Sequence, residues 1–596
     1  MFEWAASEED RPWKRWVLLG LGIFIAVTLA TKWSGLADLT LIDTDDNLRL
    51  AQVRDWLAGQ PWSDLRQYRM EPPAGADIHW SRIPDLPIAG IILLLTPLLG
   101  GAMAEVVAVT VAPFIPAAII LFAIATVTRR VAAKGAWPIA LIAVLMATSV
   151  SMNLMPLRID HHGWQLAMLS LVMVGFTDPR HARGGAIMGL AIACSLAIGL
   201  EMIIFIALLG AATVLGWIFF AGERYRMMTL GAATAGGSTL FYLLFASDAN
   251  RQLVCDALSP VWLSNAVLGG ALLVAIAWKA PRDWRWRTGL ALSAGLIIAA
   301  FHAFAFPHCL SRLEGVSDEA VRLWLSRVHE AKPITEQSVR IFVTALFLPA
   351  LAIVGYALLV KRGGKERQRM ALGLGAAMLV ATGLMFWQSR LGAAAQLLAI
   401  PGAAGLFVVL VPRLAASYSM LVRVLGISLA FIATSGALPI LVGNYLPDKN
   451  RKSEAEQDED DAISRERCGS REDMAILANL PQGHVYTFLD MAPRVLVMTP
   501  HTTVTGPYHR NHEAIVDNIL TLRAKPDQAR RRIEATGADY LLLCRGQLDV
   551  IGPGVEDQGL AWQLGKGASF DWLEPIAVSD DNPNLLYRLT TQGSSG

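Results

Sequence analysis

The chain has 596 residues, a formal net charge of +1, 54% apolar residues and only 17% charged ones. An average soluble domain carries about a quarter charged residues, so an ordinary water-soluble globule is excluded. A charge balance this close to zero gives no electrostatic basis for binding nucleic acid.

The first apolar run, "WVLLGLGIFIAVTLA" from Trp16 to Ala30, has no convincing small-residue cleavage site and is followed by many more. It reads as a retained membrane helix rather than a signal peptide. A polar stretch follows from Leu36 to Asp85. The run from Leu86 to Leu99 is short and starts beside Pro84 and Pro87. It is expected as a partly embedded helix.

Further spans are expected over Glu105–Val127, Trp137–Met152, His162–Phe176, Gly184–Glu201, Met202–Phe220, Met228–Phe245 and Trp262–Trp278. The series continues with Leu290–Phe306, Ser338–Val360, Met370–Trp387, Ala393–Val411 and Leu421–Leu441. With the first run this makes about thirteen, each judged against the roughly twenty residues a bilayer requires.

Charge placement tests the count. Arg129, Arg130 and Lys134, Arg180 and Arg183, Arg224 and Arg226 fall in alternate loops. Lys279 to Arg287, Lys361 to Arg369, and Arg413 with Arg423 continue the series. All lie on one side only if the Leu86 run does not cross, and the positive-inside rule makes that side cytoplasmic. The N-terminus, with Lys14 and Arg15, is then inside, and an odd number of spans puts the C-terminal part outside.

The membrane domain is expected over residues 1–446, with external loops at 36–85 and 307–337. Residues 447–596 open with a charged linker, "DKNRKSEAEQDEDDAISRERCGSRED". Beyond it "HVYTF", "RVLVM" and "DYLLLC" read as strands. "NHEAIVDNILTL" and "PDQARRRIEATG" read as helices, the second stopping at Gly537. Strand–helix alternation predicts a small α/β domain. The five cysteines, Cys194, Cys255, Cys309, Cys468 and Cys544, have no paired spacing. They fit neither a zinc site nor a dense disulfide framework, and leave open one bridge between external cysteines.

Polar residues gather on the external side. "LIDTDDNLRL" places Asp43, Asp45 and Asp46 just after an apolar run, with Arg49 behind them, and "PPAGADIHWSR" brings His79. "RIDHHGWQ" supplies Arg158, Asp160, His161 and His162. "RVHEAKPITEQS" holds Glu330 and Glu336, and "WQSR" ends on Arg390. Clustered carboxylates beside a membrane repel one another and are costly to dehydrate, which a divalent cation offsets. Asp45, Asp160 and His162 offer oxygen and imidazole ligands for Mn2+ or Mg2+. Arg390 offers a fork for phosphate oxygens. Taken singly each has a plain structural reading: "DTDD" as a helix cap with an acidic first turn, "DHHG" as a capping Asp with interfacial histidines, Arg390 as a snorkelling side chain. Glu330 on its own reads as a solvated helix residue, and Glu201 as a span end with no function. The functional reading comes from their common side.

On these motifs the chain resembles the GT-C membrane glycosyltransferases, and among them the bacterial and archaeal oligosaccharyltransferase catalytic subunits. "TDDNLRLAQVRDWLAG" matches the family's first external loop and places its metal-binding, acceptor-activating Asp on Asp45. "RIDHHG" matches the second-loop acidic pair, on Asp160 and His162. Glu330, with Glu336 as a rival, takes the place of the fifth-loop Glu, and Arg390 that of the arginine holding the lipid-linked phosphate. The resemblance implies a polytopic α-helical enzyme of the bacterial inner membrane with a small periplasmic α/β domain. It would transfer a glycan from a polyprenyl-(di)phosphate donor, with Mn2+ or Mg2+ as cofactor, and could act as a monomer.

The C-terminal part has no "WWDYG" run; its most specific stretch is "HTTVTGPYHRNHEAIVD". There Tyr508, His509 and Arg510, together with Asp43, Asp46, Arg49, His79 and His161, are candidate substrate contacts. The acceptor stays open among a glycan, a lipid and a protein site. Three other functions remain: a monosaccharide transferase using a polyprenyl-monophosphate sugar, a non-catalytic assembly protein that would need no metal and tolerate alanine at Asp45, and a polysaccharide flippase or polymerase component. The latter would place its polar groups at the membrane midplane rather than at its edge.

Overall fold

The computed structural model describes residues 13–220, 222–310, 315–443, 468–552, 554, 557–579 and 581–590. The boundary expected near residue 446 and most of the charged linker lie outside them. Each expected span is a helix or a bent pair of helices. Eight described helices are long and apolar enough to cross a membrane, or ten if each bent pair is one span. The pairs are Trp137–Met146 with Thr148–Leu154, bent by 73°, and Met420–Thr434 with Ala437–Gly443, bent by 89°. Length and composition therefore support eight to ten spans rather than about thirteen. His162–Phe176 and Ile203–Phe219 are apolar but shorter, and Lys365–Leu384 opens on the charged run "KERQR".

The outward faces of these helices are apolar. Leu93, Leu94, Leu98, Leu292, Leu296 and Phe304 are all exposed, Phe304 at 88%. Water would not tolerate so much bare hydrocarbon, whereas lipid tails cover it. Between helices the contacts are close. Gly355 on Val339–Arg362 backs directly onto the Gly402 backbone of Gly392–Ala415, where a Cβ would clash with main-chain atoms. Small residues of this kind let membrane helices approach.

The Leu86 run is helical over Asp85–Leu99. It breaks at Gly100, whose φ of 78° suits glycine alone, and the chain packs back as Gly101–Val111. The helix resumes at Phe114–Val131 beyond Pro113, and Gly101–Val131 together form one candidate span of 31 residues that contains the expected Glu105–Val127.

The C-terminal part is a five-stranded sheet in the order β2-β1-β3-β5-β4. Its strands are β1 (His484–Thr487), β2 (Thr502–Thr503), β3 (Tyr540–Cys544), β4 (Leu573–Pro575) and β5 (Asn584–Leu589). β2, β1 and β3 are parallel, and β5 runs antiparallel to both of its neighbours, β3 and β4. His512–Arg523 and Pro526–Ala535 are helices, and Gly537 follows at φ 70°. "RVLVM" is not a strand but the end of the helix Ala492–Met498. A short apolar run buried on all sides has no periodicity to tell strand from helix, and Pro493 at the helix start decides it.

The sheet domain is joined to the segment between Thr44 and Trp80 rather than tethered beside it. Glu71 N–H donates to Thr503 O at 2.8 Å, and Thr503 N–H to Arg69 O at 2.8 Å. Ala492, Leu496, Val497 and Tyr508 share one apolar core with Leu48, Met70, Ile78 and Trp80. Two disulfides, Cys255–Cys309 and Cys468–Cys544, are present among the described residues. That is one more than the sequence spacing indicated, because loop closure in space, not spacing, brings each pair together.

Candidate active site

The helix Thr44–Leu57 presents its N-terminus to the loop Arg158–Asp160. Asp43 is its N-cap and accepts from Thr44 N–H at 2.7 Å. Asp46 completes the capping box by accepting from Asp43 N–H at 3.0 Å. The other Asp46 oxygen accepts from the backbone of Ile159 at 2.7 Å and of Asp160 at 2.9 Å. Arg158 bridges Asp43 at 2.8 Å and reaches Asp46 at 3.3 Å. Asp43 and Asp46 are thus used in building the helix start and pinning the loop.

Asp45 is left over. It has no hydrogen-bond or ion-pair partner among the described residues. Burial holds its carboxyl well above the usual range, with Asp43 and Asp160 adding and His162 and Arg158 opposing. Asp46 is pushed up to about 7, by burial first and then by Asp160 and Asp43 against Arg158. Asp160 goes the other way. Its burial is overcome by Arg158 and the two imidazoles, which hold it below the usual carboxylate range. Its Oδ1 caps the next helix by accepting from His162 N–H at 3.0 Å. Its Oδ2 is buried, 2.8 Å from Arg158 Nη2 but without a directed hydrogen bond, and 3.8 Å from His162 Nε2.

These observations test the fit of a cation. Asp160 Oδ2 and His162 Nε2 lie 3.8 Å apart, the unpartnered Asp45 carboxyl is within electrostatic reach of both, and the repulsion between the two carboxylates is what a divalent ion would relieve. Carboxylate oxygens and an imidazole nitrogen are donors of the kind that divalent cations take.

Around them the other sequence candidates separate into three groups. Tyr508 reaches across from the sheet domain, its hydroxyl donating to Thr44 O at 3.2 Å; burial raises its pKa, and the charge of Asp45 adds to the shift. His161 packs beside His162 and against Trp80, with ring centroids 4.5 and 5.8 Å away. Arg49 is fully buried, paired with Asp85 and lying over Trp80. It supports the wall of the site from behind.

A second group is a clamp. His509 Nε2 meets Asp256 Oδ2 at 2.6 Å. Arg510 donates to both Asp256 oxygens at 2.8 and 2.9 Å and to Asn250 Oδ1 at 2.7 Å. His79 packs on His509, 4.5 Å between centroids, and burial lowers its pKa.

The third group is exposed. Glu330 and Arg390 sit on adjacent turns, tied through Ser389, which donates to Lys332 O at 2.8 Å and Glu330 O at 3.2 Å. Glu330 acts electrostatically on His162, and Arg390 has Gln388 as its hydrogen-bond acceptor. Glu336 is also exposed.

Sequence reasoning missed Glu201, which meets His161 and His162, and Asp256, which anchors the clamp. A carboxylate set alone between the apolar runs "LAIGL" and "MIIFI" was a signal for Glu201. Asp256 follows Cys255 and carried no comparable signal.

No family model and no curated protein matches the sequence. Solved structures do match the fold. The archaeal oligosaccharyltransferase AglB from Archaeoglobus fulgidus, in complex with an inhibitory peptide and a dolichol-phosphate, aligns with a TM-score of 0.65 at 15% identity. That alignment covers 97% of this chain and 74% of the other. The A. fulgidus oligosaccharyltransferase tethered to an acceptor peptide containing the NVT sequon gives 0.64 at 15% identity, covering 98% and 75%. The same enzyme in complex with Zn and sulfate gives 0.61 at 14%, covering 96% and 73%. The chain therefore shares its fold with these oligosaccharyltransferases, the fold that its motifs implied.

Proposed function

We propose that this chain is a metal-dependent membrane glycosyltransferase that moves a glycan from a polyprenyl-phosphate or polyprenyl-diphosphate carrier to an acceptor at the outer face of the bacterial inner membrane. The observation that carries the reading is Asp45: alone of its cluster it has no partner among the described residues, and its carboxyl lies within electrostatic reach of Asp160 and His162, which are 3.8 Å apart, in a fold shared with oligosaccharyltransferases.

Asp45, Asp160 and His162 would hold Mn2+ or Mg2+, which as a Lewis acid supplies stabilisation of the leaving phosphate. Asp45 or Glu330 accepts a hydrogen bond from the acceptor nucleophile and orients it. The exposed Arg390 aims forked donors at phosphate oxygens from the membrane edge. Tyr508 and His161 line the approach between the first loop and the sheet domain. One neighbouring structure carries an inhibitory peptide and a dolichol-phosphate and another a tethered acceptor peptide, which makes a peptide the first acceptor to try.

The external orientation has independent support. Both disulfides belong to segments on the side of the site, and such bridges persist in oxidising compartments.

The test uses the full chain in lipid with Mn2+ or Mg2+, polyprenyl-linked glycans extracted from the native membrane, and acceptor peptides. Donor consumption and release of the polyprenyl product are followed by mass spectrometry. Metal-dependent release that disappears in Asp45→Ala is expected. Donor binding without turnover, unchanged in Asp45→Ala, would sink the transferase reading.

A further inference from the structure

Glu201 lies between the helices His181–Ile198 and Ile203–Phe219, far in sequence from the residues it meets. Its Oε1 is 2.6 Å from His161 Nε2, and its Oε2 is 3.0 Å from His162 Nδ1. One carboxylate therefore receives one nitrogen from each of two adjacent rings. A carboxylate at the end of two apolar helices is costly unless its oxygens are hydrogen-bonded, and these two are.

The chemistry of the pair fixes more than position. An ionised carboxylate only accepts, so the ring nitrogen facing it carries the proton. On His162 that nitrogen is Nδ1. The lone pair of the neutral ring is then on Nε2, the atom 3.8 Å from Asp160 Oδ2. Nε2 is thus both geometrically and electronically available to a cation shared with Asp160, within the electrostatic reach of Asp45. With Nδ1 free to lose its proton instead, the ring could rotate or present the wrong tautomer. His161, held by the same carboxylate and packed 4.5 Å from His162, blocks that rotation from the side.

We propose that Glu201 is a positioning residue of the metal centre: it locks His162 as the Nδ1–H tautomer with Nε2 aimed at the site formed with Asp160 and Asp45. This rests on the metal reading proposed above. Carboxylates placed behind metal-binding histidines are typically needed for full metal affinity.

The experiment is Mn2+ binding to the full chain in lipid nanodiscs, read as loss of the free-ion EPR signal, with Mn2+ alone as probe. Wild type, Glu201→Ala, Glu201→Gln and Asp160→Ala are compared, and metal-free thermal unfolding reports whether each is folded. Glu201→Ala is expected to weaken Mn2+ binding by about 10- to 100-fold. Glu201→Gln keeps one carbonyl acceptor, so it holds one ring and is expected to lose less. A merely structural role would lower the unfolding temperature without moving the affinity of the folded fraction. If Asp160→Ala loses Mn2+ while both Glu201 variants bind within about twofold of wild type, the positioning role is overturned and the metal centre stands. If wild type takes up no Mn2+, both are overturned. Should Glu201→Ala not fold, Glu201→Gln decides.

Discussion

Asp43, Asp45 and Asp46 lie within four residues, and geometry assigns them different work. Asp43 caps a helix and pairs with Arg158, and Asp46 pins the Arg158–Asp160 backbone. Asp43→Ala is expected to lower stability by about 1 kcal/mol, the usual worth of an N-cap, and to reduce transfer less than tenfold. Asp45→Ala is expected to leave the unfolding temperature near wild type while transfer falls by more than about 100-fold, since a Lewis acid contributes several kcal/mol. Thermal unfolding and initial rates on the same preparations separate the two. pH gives a further check. Asp46 has a pKa of about 7 when folded against about 4 unfolded, and Asp45 is shifted the same way. The folded state therefore binds more protons in that window, so metal-free stability falls as pH rises from about 4 to about 7. A cation competes for the same carboxylates. Added Mn2+ is expected to raise the unfolding temperature most at and above about pH 7 and least near pH 4.

At the scale of elements, the sheet domain is fastened to the membrane domain by the Arg510–Asp256 pair, each side chain only 9% exposed. The pair also brings in His509, Asn250 and Asp77. Asp256→Ala removes the carboxylate that holds both the Arg510 guanidinium and the His509 ring and is expected to cost about 3 kcal/mol; limited proteolysis between the domains would show earlier cleavage. The same fastening carries Tyr508 to Thr44, so loss of the clamp should lower turnover without touching metal affinity. Within the membrane the Gly355–Gly402 contact is the tightest constraint of another kind. Gly355→Leu would separate Val339–Arg362 from Gly392–Ala415 and is expected to cost about 1–3 kcal/mol by overpacking, measured as a drop in thermal stability in detergent.

Over the whole molecule, charge and site occupy opposite ends. The helix His181–Ile198 has Ile198 near Glu201 and His181 at its far end, about 26 Å away at 1.5 Å per residue. At that far end Asp178 and Glu223 are buried among Arg130, Arg183, Arg226 and Arg369. These are the arginines that the positive-inside rule assigns to the cytoplasm. A reporter fused after the C-terminal residue is accordingly expected to be active when it requires export and silent when it requires the cytosol. Both disulfides should be present in protein from wild-type cells and missing where periplasmic thiol oxidation is disabled.

Much of this was written in the sequence because it depends on local or averaged properties. Apolar runs of membrane length, loops of alternating charge and a strand–helix tail follow from periodicity and composition, and the external motifs pointed to the fold that the neighbours share. The short Leu86 run, excluded from the spans by its length and prolines, is a helix folded back at Gly100. Other features required tertiary structure. "RVLVM" became a helix because burial on every side erases the period that distinguishes the two forms. Cys255–Cys309 and Cys468–Cys544 depend on loops closing in space. Glu201 read as an idle span end, since nothing in a linear chain shows that a carboxylate some forty residues away lies between two histidines. The choice among three neighbouring aspartates was likewise tertiary. A residue's type is local, but whether its charge is already spent on a cap, a backbone or an arginine is set by what the fold brings beside it.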